Sequence, residues 1–415
     1  MKRNTKISVI IPVYNGEQYI EHCISSVLSQ ELKELEIVCV DDGSTDHSAE
    51  IIANYASADE RVVLIHQKNQ GPGAARNLAI KNAHGKYVAF LDADDYYLDK
   101  DALKKMYEAC ETEKTTVSVS LQWQVNGCLV KRGPFRKRDI GKTAIHYLDY
   151  QMDYDYICYL FLRELLVENE IWFPLYYRFQ DPPFLVRALY EAGKISVVDT
   201  CLYYYRQPVV SKRFNRKKTA DLLRGLIDNL QFSQKNHLDI LFRKTIWRLE
   251  YEYADIICRH QSPENIELLK LLMKANQIIQ HGLHQREYMI RPLRLLLFKQ
   301  KQYEEFILDE IEKQEKIVLY GAGKMGSVFT RFLEKKGLLE KVENVVVSQL
   351  KEKDLEWNGI LVISLEHLSH EGKFKVFVTV GEEYQKEIED NLIQNGYSNY
   401  IIVKEEFLHL LEENG

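Results

Sequence analysis

An α/β fold with a mostly parallel sheet, followed by a helical region and a second, smaller Rossmann-like α/β unit, is predicted for this 415-residue sequence. Three observations predict it. Apolar segments alternate with helix-spaced segments over roughly the first hundred residues. From about residue 211 the apolar spacing is helical and strand signals vanish. A strand-to-helix turn spaced by glycines, "VLYGAGKMGS", then opens a new alternation. Strands that alternate with helices pair in parallel, because each crossover needs a helix to return the chain.

The elements follow in order. "KISVIIPV" has the continuous apolar run of a buried parallel strand. Ile20, Cys23, Ile24, Val27 and Leu28 then recur at helical spacing, and "LEIVCV" is the next strand. A helix over "HSAEIIANYA", a strand "RVVLIH", a helix "AARNLAIKNA" and a strand "YVAFL" continue the pattern. "TADLLRGLIDNLQFSQ", "ILFRKTIWRLEYEYADIICRH" and "ENIELLKLLMKANQIIQ" carry helical spacing. After the glycine turn, "VENVVVSQ", "ILVIS", "KVFVTVG" and "NYIIV" supply further strands. The boundaries predicted are 1–210, 211–302 and 303–415, within the two or three domains that this length suggests.

Composition narrows the function. With 46% hydrophobic and 28% charged residues the chain is globular, and a net charge of −6 gives no reason to expect a nucleic-acid partner. Seven cysteines, none in a CxxC pair, suggest neither a disulfide framework nor a zinc site, so a reducing, cytoplasmic setting is expected. The N-terminal apolar run is short and holds Pro12, which suits a first strand better than a leader peptide. No apolar run approaches the roughly 18 residues of a membrane span. In "HQREYMIRPLRLLLFKQKQ", Arg286, Arg291, Arg294, Lys299 and Lys301 interleave with Leu293, Leu295, Leu296, Leu297 and Phe298. Such a helix lies on an anionic membrane surface or forms an ordinary solvated face, and peripheral contact at the inner membrane face is one of the two expectations.

In a parallel α/β sheet, ligands collect at the carboxyl ends of the strands. Those ends read "PVYNG", "DDGSTD", "NQGPGAARN" and "DADD". The last places Asp92, Asp94 and Asp95 within four residues. Like charges so close repel unless a cation or proton lies between them.

"SVIIPVYNGEQYIEHCISSVLSQ", "EIVCVDDGSTD", "NQGPGAARNLAI" and "GKYVAFLDADD", in this order and spacing, resemble a family 2 glycosyltransferase with the GT-A fold, over about residues 6–210. The resemblance implies that Asp92, Ala93 and Asp94 form a DxD motif, which holds a divalent cation, Mn²⁺ or Mg²⁺, on the diphosphate of a nucleotide sugar. Oxygen-rich carboxylate sites suit either ion. It further implies that Pro12 and Tyr14 flank the nucleobase, Asp42 accepts from its ring N–H and Arg76 lines the nucleotide site. Asp92 would face the ribose and Asp94 the metal, with Asp95 behind them. Asp181, in "FQDPPFLVRALYEAG", matches the family's aspartate base, although Gln180 stands where a glutamate is common. The same Asp181, followed by Pro182 and Pro183, also has the pattern of a helix N-cap. Arg206, Ser211, Lys212 and Arg213 are candidates for the diphosphate, while Tyr203 to Tyr205 are expected as strand and core aromatics.

The glycines Gly321, Gly323 and Gly326 have the spacing that lets a phosphate approach a helix N-terminus. A dinucleotide site also wants an acidic residue after the next strand, where this chain has Ser348 and Gln349. Nucleotide binding, regulation and subunit pairing, hence a homo-oligomer, all stay open for this unit. The reading is a metal-dependent, inverting transferase of a sugar, from a UDP-sugar by the resemblance, to a hydroxyl of a lipid-linked, polysaccharide, teichoic acid or glycoprotein acceptor. Its rivals are a nicotinamide-dependent oxidoreductase using the glycine loop, and an inactive binding or scaffold protein.

Overall fold

The computed structural model describes residues 5–125, 128–131, 142–206, 214–260, 266–348, 356–369, 374–404, 407–408 and 411. The chain gathers into two compact units, Met1–Tyr253 with Lys274–Tyr288, and Ala254–Met273 with Met289–Gly415.

The first unit opens with β1 (Ile7–Val13), α1 (Ile20–Leu28), β2 (Leu35–Asp41), α2 (Ser48–Ala58), β3 (Val62–His66), α3 (Pro72–Asn82) and β4 (Tyr87–Phe90). It continues through β5 (Tyr96–Tyr97), α4 (Ala102–Glu113), β6 (Val117–Val125), β7 (Cys128–Lys131), β8 (Ala144–His146) and β9 (Tyr159–Leu162). Then come α5 (Arg163–Glu168), α6 (Asp181–Ala192), β10 (Lys194–Tyr205), α7 (Arg216–Lys235) and α8 (Asp239–Trp247). The strand order is β3-β2-β1-β4-β9-β6-β10-β5, with β7 on β6 and β8 on β10. Pairing is parallel across β3-β2-β1-β4 and between β6 and β10, and antiparallel at β9, β5, β7 and β8. Every residue of β2 is buried, as an unbroken apolar run covered by helices on both faces should be.

Parallel alignment of β1, β2 and β4 brings the loops after them to one edge. An aromatic core fixes what faces that edge. Phe90 ends β4 just before the acidic segment, and Phe184 lies in the first turn of α6. Their rings meet edge-to-face at 5.6 Å, and Phe184 stacks on Phe173 at 3.8 Å. Rings so placed contribute about 0.5–1.5 kcal/mol per pair beyond their buried area. The same packing therefore holds the start of α6 beside the end of β4.

The second unit contains α9 (Ala254–His260), part of α10 (Ile266–Leu283), α11 (Arg291–Glu312), β11 (Lys316–Tyr320), α12 (Lys324–Lys335) and β12 (Val342–Val347). It ends with β13 (Glu356–Trp357), β14 (Ile360–Ser364), β15 (Phe374–Val378), α13 (Glu382–Gln394) and β16 (Tyr400–Ile402). The order is β13-β14-β12-β11-β15-β16, parallel throughout except for β13. Two apolar clusters cover its two faces, one around Phe329 and Phe377, the other around Tyr320 and Val376.

The helices of 211–302 are divided between the units, and residue 302 falls inside α11, one unbroken helix. Periodicity finds helices, but partition depends on which surfaces they bury against. In α11 Leu293 is buried, Arg294 is exposed and Phe298 is 60% exposed. Among the described residues no helix is long and apolar enough to cross a membrane.

Candidate active site

The acidic segment after β4 divides its three aspartates among different environments. The backbone N–H of Asp92 donates to the Tyr203 hydroxyl at 3.1 Å, and that hydroxyl donates to Asp95 Oδ2 at 2.8 Å. Tyr203 reaches this place because β10 pairs with β5, Tyr203 opposite Tyr97. Asp95 Oδ1 accepts the backbone N–H of Arg206 at 2.6 Å. Asp95 is buried, and burial, reinforced by the Asp92 charge, pushes its carboxyl up to about 8. Asp94 lies between them, half-buried.

Asp92 turns the other way. Its Oδ1 accepts from Arg76 Nη2 at 2.7 Å and from the Tyr156 hydroxyl at 3.1 Å. Arg76, near the start of α3, is buried, with its guanidinium 5.1 Å from the Tyr156 ring centre and 5.3 Å from that of Phe173. Burial alone would favour loss of its charge, but the Tyr156 phenol and the Asp92 carboxylate beside it raise its pKa, so it stays cationic. Its Nε and Nη1 have no hydrogen-bond partner among the described residues. Buried donors left so are costly, about 1–3 kcal/mol each, which marks a place where a further acceptor would be welcome.

Asp42, just past β2, holds a loop: Oδ1 accepts from Gln67 Nε2 at 2.7 Å and the Gln70 N–H at 2.8 Å, and Oδ2 from the Gly71 N–H at 2.9 Å. Pro12 is half-buried within β1, and Tyr14, just beyond, is 54% exposed. Arg206 lays its guanidinium over the Tyr19 ring at 4.5 Å. Ser211, Lys212 and Arg213 lie outside the described residues.

Asp181 is the first residue of α6, with Gln180 at the N-cap position and no side-chain cap bond. This differs from the N-cap expected from the sequence, and the prolines give the reason. A capping carboxylate accepts from N–H groups of the first turn, and Pro182 and Pro183 have none. The carboxylate is left for other work. Burial pushes its pKa up, its own backbone N–H and the Arg76 charge pull it back, and Asp92 adds to the rise. A carboxylate set among the Arg76 and Arg178 charges on one side and that of Asp92 on the other has the chemistry to accept a proton.

In the second unit, Gly321 closes β11 with φ of +118°, and a Cβ on Gly326 would lie 2.1 Å from the Gly321 carbonyl oxygen. Both positions require glycine. A Cβ on Gly323 would meet nothing within 4 Å. Ser348 Oγ lies 3.0 Å from the Tyr320 hydroxyl, and Gln349 is outside the described residues.

Asp92, Asp94, Asp95, Arg76 and Asp181 are thus drawn together through charge and hydrogen bonds, and Asp42 anchors the neighbouring 67–71 loop. Sequence reasoning missed Tyr156 and Phe173 and read Tyr203 as packing alone. The aromatic run around Tyr203 was visible, but only strand register tells which hydroxyl meets a carboxylate. Among the described residues no three His, Cys, Asp or Glu side chains converge as a cation cage. A divalent ion held here would draw on one or two carboxylates and complete its shell with phosphate oxygens and water.

Comparison with known proteins bears on the family and the fold. The model of Glycosyl transferase family 2 matches residues 8–169. The chain is 36% identical to a poly(ribitol-phosphate) β-glucosyltransferase of Bacillus spizizenii over 48% of its own length and 32% of that protein's. It is 31% identical to EpsH of Bacillus subtilis over 58% of its length and 72% of that protein's. The chain thus spans about a third of the first relative and most of the second. A crystal structure of Staphylococcus aureus TarS 1-349 in complex with UDP-GlcNAc superimposes with a TM-score of 0.55 at 25% identity, covering 68% of this chain and 83% of that one.

Proposed function

The chain belongs to Glycosyl transferase family 2, and we propose that it moves a sugar from a UDP-sugar to a hydroxyl of a polyol-phosphate polymer or related surface polysaccharide, with inversion at the anomeric carbon. The observation that carries this reading is the juxtaposition of Asp181 with the Arg76–Asp92 pair at the carboxyl edge of β4. The relative named for poly(ribitol-phosphate) and the neighbour holding UDP-GlcNAc support the acceptor and donor classes.

In this reading Asp92 and Arg76 form the floor under the donor, and Arg76 brings its two unpartnered N–H groups toward the incoming oxygens. Asp181 takes the proton of the acceptor hydroxyl as that oxygen bonds to the anomeric carbon. The bond from that carbon to the diphosphate oxygen breaks, and UDP departs with the electron pair. Attack opposite the leaving group inverts the centre. A divalent cation at Asp94, shared with the diphosphate, would screen the charge that grows on the leaving group. The reaction is proposed to take place in the cytoplasm, with peripheral contact at the membrane where the acceptor is lipid-linked.

Calorimetric titration with UDP, with and without Mn²⁺, tests the donor half. The wild type should bind UDP in a metal-dependent manner, and Asp94→Asn should weaken that binding by at least about tenfold. Absence of UDP binding under both conditions overturns the UDP-sugar reading. NAD binding in its place would move the function to the glycine loop and an oxidoreductase.

A further inference from the structure

Resting on the reading of Asp181 as the base, a second feature explains how that carboxylate is aimed. Phe179, two residues before it, has φ of +63°. A bulky side chain in the left-handed region persists only where its surroundings impose it, and such positions cluster at functional sites. The surroundings here are one face of α7. Asp221, Gly225 and Asp228 follow at spacings of four and three, so they line one stripe of the helix. Asp221 Oδ2 accepts the Tyr177 N–H at 3.0 Å, and Asp228 Oδ2 accepts the Tyr176 hydroxyl at 3.1 Å. Between them Gly225 leaves room for Phe179: a Cβ there would lie 2.6 Å from the Phe179 carbonyl oxygen and 2.7 Å from its Cδ1.

Two further rings pack on Phe179. Tyr154 and Tyr253 each meet it edge-to-face at 6.0 Å, and their hydroxyls lie 2.9 Å apart. Arg248 covers the Tyr154 ring at 3.8 Å and is paired with the buried Asp153. Arg248 sits in a π-helical turn, Arg248–Glu252, a rare form that is frequent at functional sites.

We propose that Gly225, with Asp221 and Asp228 on the same face of α7, is a positioning residue for the transfer: it seats Phe179 so that the Tyr176–Phe179 segment aims the Asp181 carboxylate at the acceptor hydroxyl. α7 follows the segment that resembles the transferase fold, so on this account it belongs to the active site as its brace. Asp221 and Asp228 fix the segment's height on the helix, and Gly225 fixes its depth.

Gly225→Ala tests this, read by UDP release from UDP-glucose and UDP-N-acetylglucosamine with poly(ribitol phosphate) as acceptor, beside UDP calorimetry. Moving a reacting group by about 1 Å costs up to about a hundredfold in rate, so kcat should fall roughly ten- to hundredfold while the donor KM and the UDP affinity stay put. Unchanged kcat, or a loss carried by KM instead, overturns the proposal. Tyr176→Phe deletes one hydroxyl and keeps the fold should the first variant not fold. It should lower kcat about threefold at constant KM, and no change in kcat would count against the proposal. Asp181→Asn separates this idea from its premise: if that variant transfers normally the base is misassigned, whereas its inactivity beside a fully active Gly225→Ala removes the brace alone. Should neither donor turn over, crystals of Gly225→Ala decide the geometry, a displaced Asp181 carboxylate supporting the proposal and an unmoved one overturning it.

Discussion

The two sheets begin alike and are equipped differently. In the first unit the order β3-β2-β1-β4 is the one that β14-β12-β11-β15 repeats in the second, parallel in both. Beyond this shared half, the first sheet continues with antiparallel β9 and the second with parallel β16. At the first carboxyl edge β4 is followed by Asp92, Asp94 and Asp95, with Arg76 and Asp181 drawn in from helices. At the second, β11 is followed by Gly321, Ala322 and Gly323, and what this loop contributes is backbone. The topology supplies an edge; the loop residues decide whether that edge is charged or merely shaped.

The largest expected effect breaks the charged edge. Asp181→Asn keeps shape and removes the proposed base, so sugar transfer should fall by roughly 10²–10⁴-fold, the usual contribution of general-base catalysis. UDP affinity by calorimetry should hardly change. If transfer survives, the first edge is no better armed for chemistry than the second.

The next effect breaks the shaped edge. Gly326→Ala would thrust a methyl group to 2.1 Å from the Gly321 carbonyl oxygen, a backbone atom that cannot swing aside. A loss of roughly 2–3 kcal/mol is expected in urea unfolding, as for other overpacked sites. UDP binding should persist. A variant as stable as the wild type would mean that the glycine spacing answers to a ligand rather than to the loop's own geometry.

The comparison also explains what the sequence could and could not tell. Both edges were legible because they depend on local patterns, apolar runs for strands and short motifs for loops. The placement of Asp92 and Asp94 at the end of β4 needs no knowledge beyond the alternation that precedes it. The ring pair around Arg76 is different, since Tyr156 and Phe173 lie some 80 and 97 positions further along the chain and reach Arg76 only through the Phe90, Phe161, Phe173 and Phe184 core. Tyr203 was read correctly as a core aromatic, yet its hydroxyl organises Asp92 and Asp95, which depends on the β10–β5 register. Division of the helices also escaped periodicity, because a period shows that a face is apolar and never which surface covers it.

A smaller effect sharpens the electrostatic side. Burial and the Asp92 charge hold the Asp95 carboxyl at about 8, above the ordinary carboxylate range. A raised folded-state value means the folded protein keeps a proton that the unfolded chain has released, so stability should fall as pH rises from about 4 to about 8. The slope from one such group is at most about 1.4 kcal/mol per pH unit. Thermal melts of metal-free protein across that range should show the decline, and Asp95→Asn should flatten it. An unchanged slope in the variant would place the titrating group elsewhere, while the second edge, with no aspartate in its glycine loop, offers no counterpart.

The smallest effect compares one hydroxyl at each edge. Tyr156→Phe removes the donor 3.1 Å from Asp92 Oδ1 but leaves the ring over Arg76. Tyr320→Phe removes the hydroxyl 3.0 Å from Ser348 Oγ. The two deletions are chemically identical, yet their partners differ. A hydrogen bond to a carboxylate contributes about 1.5–3 kcal/mol and one between neutral groups about 0.5–1.5 kcal/mol. Asp92 is 32% exposed, so solvent weakens its bond toward the lower end of the first range. Urea unfolding should therefore give Tyr156→Phe the larger loss by about 0.5–1 kcal/mol, and only Tyr156→Phe should also weaken UDP, since Asp92 then holds Arg76 without its second donor. Equal losses with no change in UDP affinity would mean that the charge on Asp92 is already fully satisfied by Arg76. The first edge would then differ from the second in composition and not in how tightly its groups are coupled.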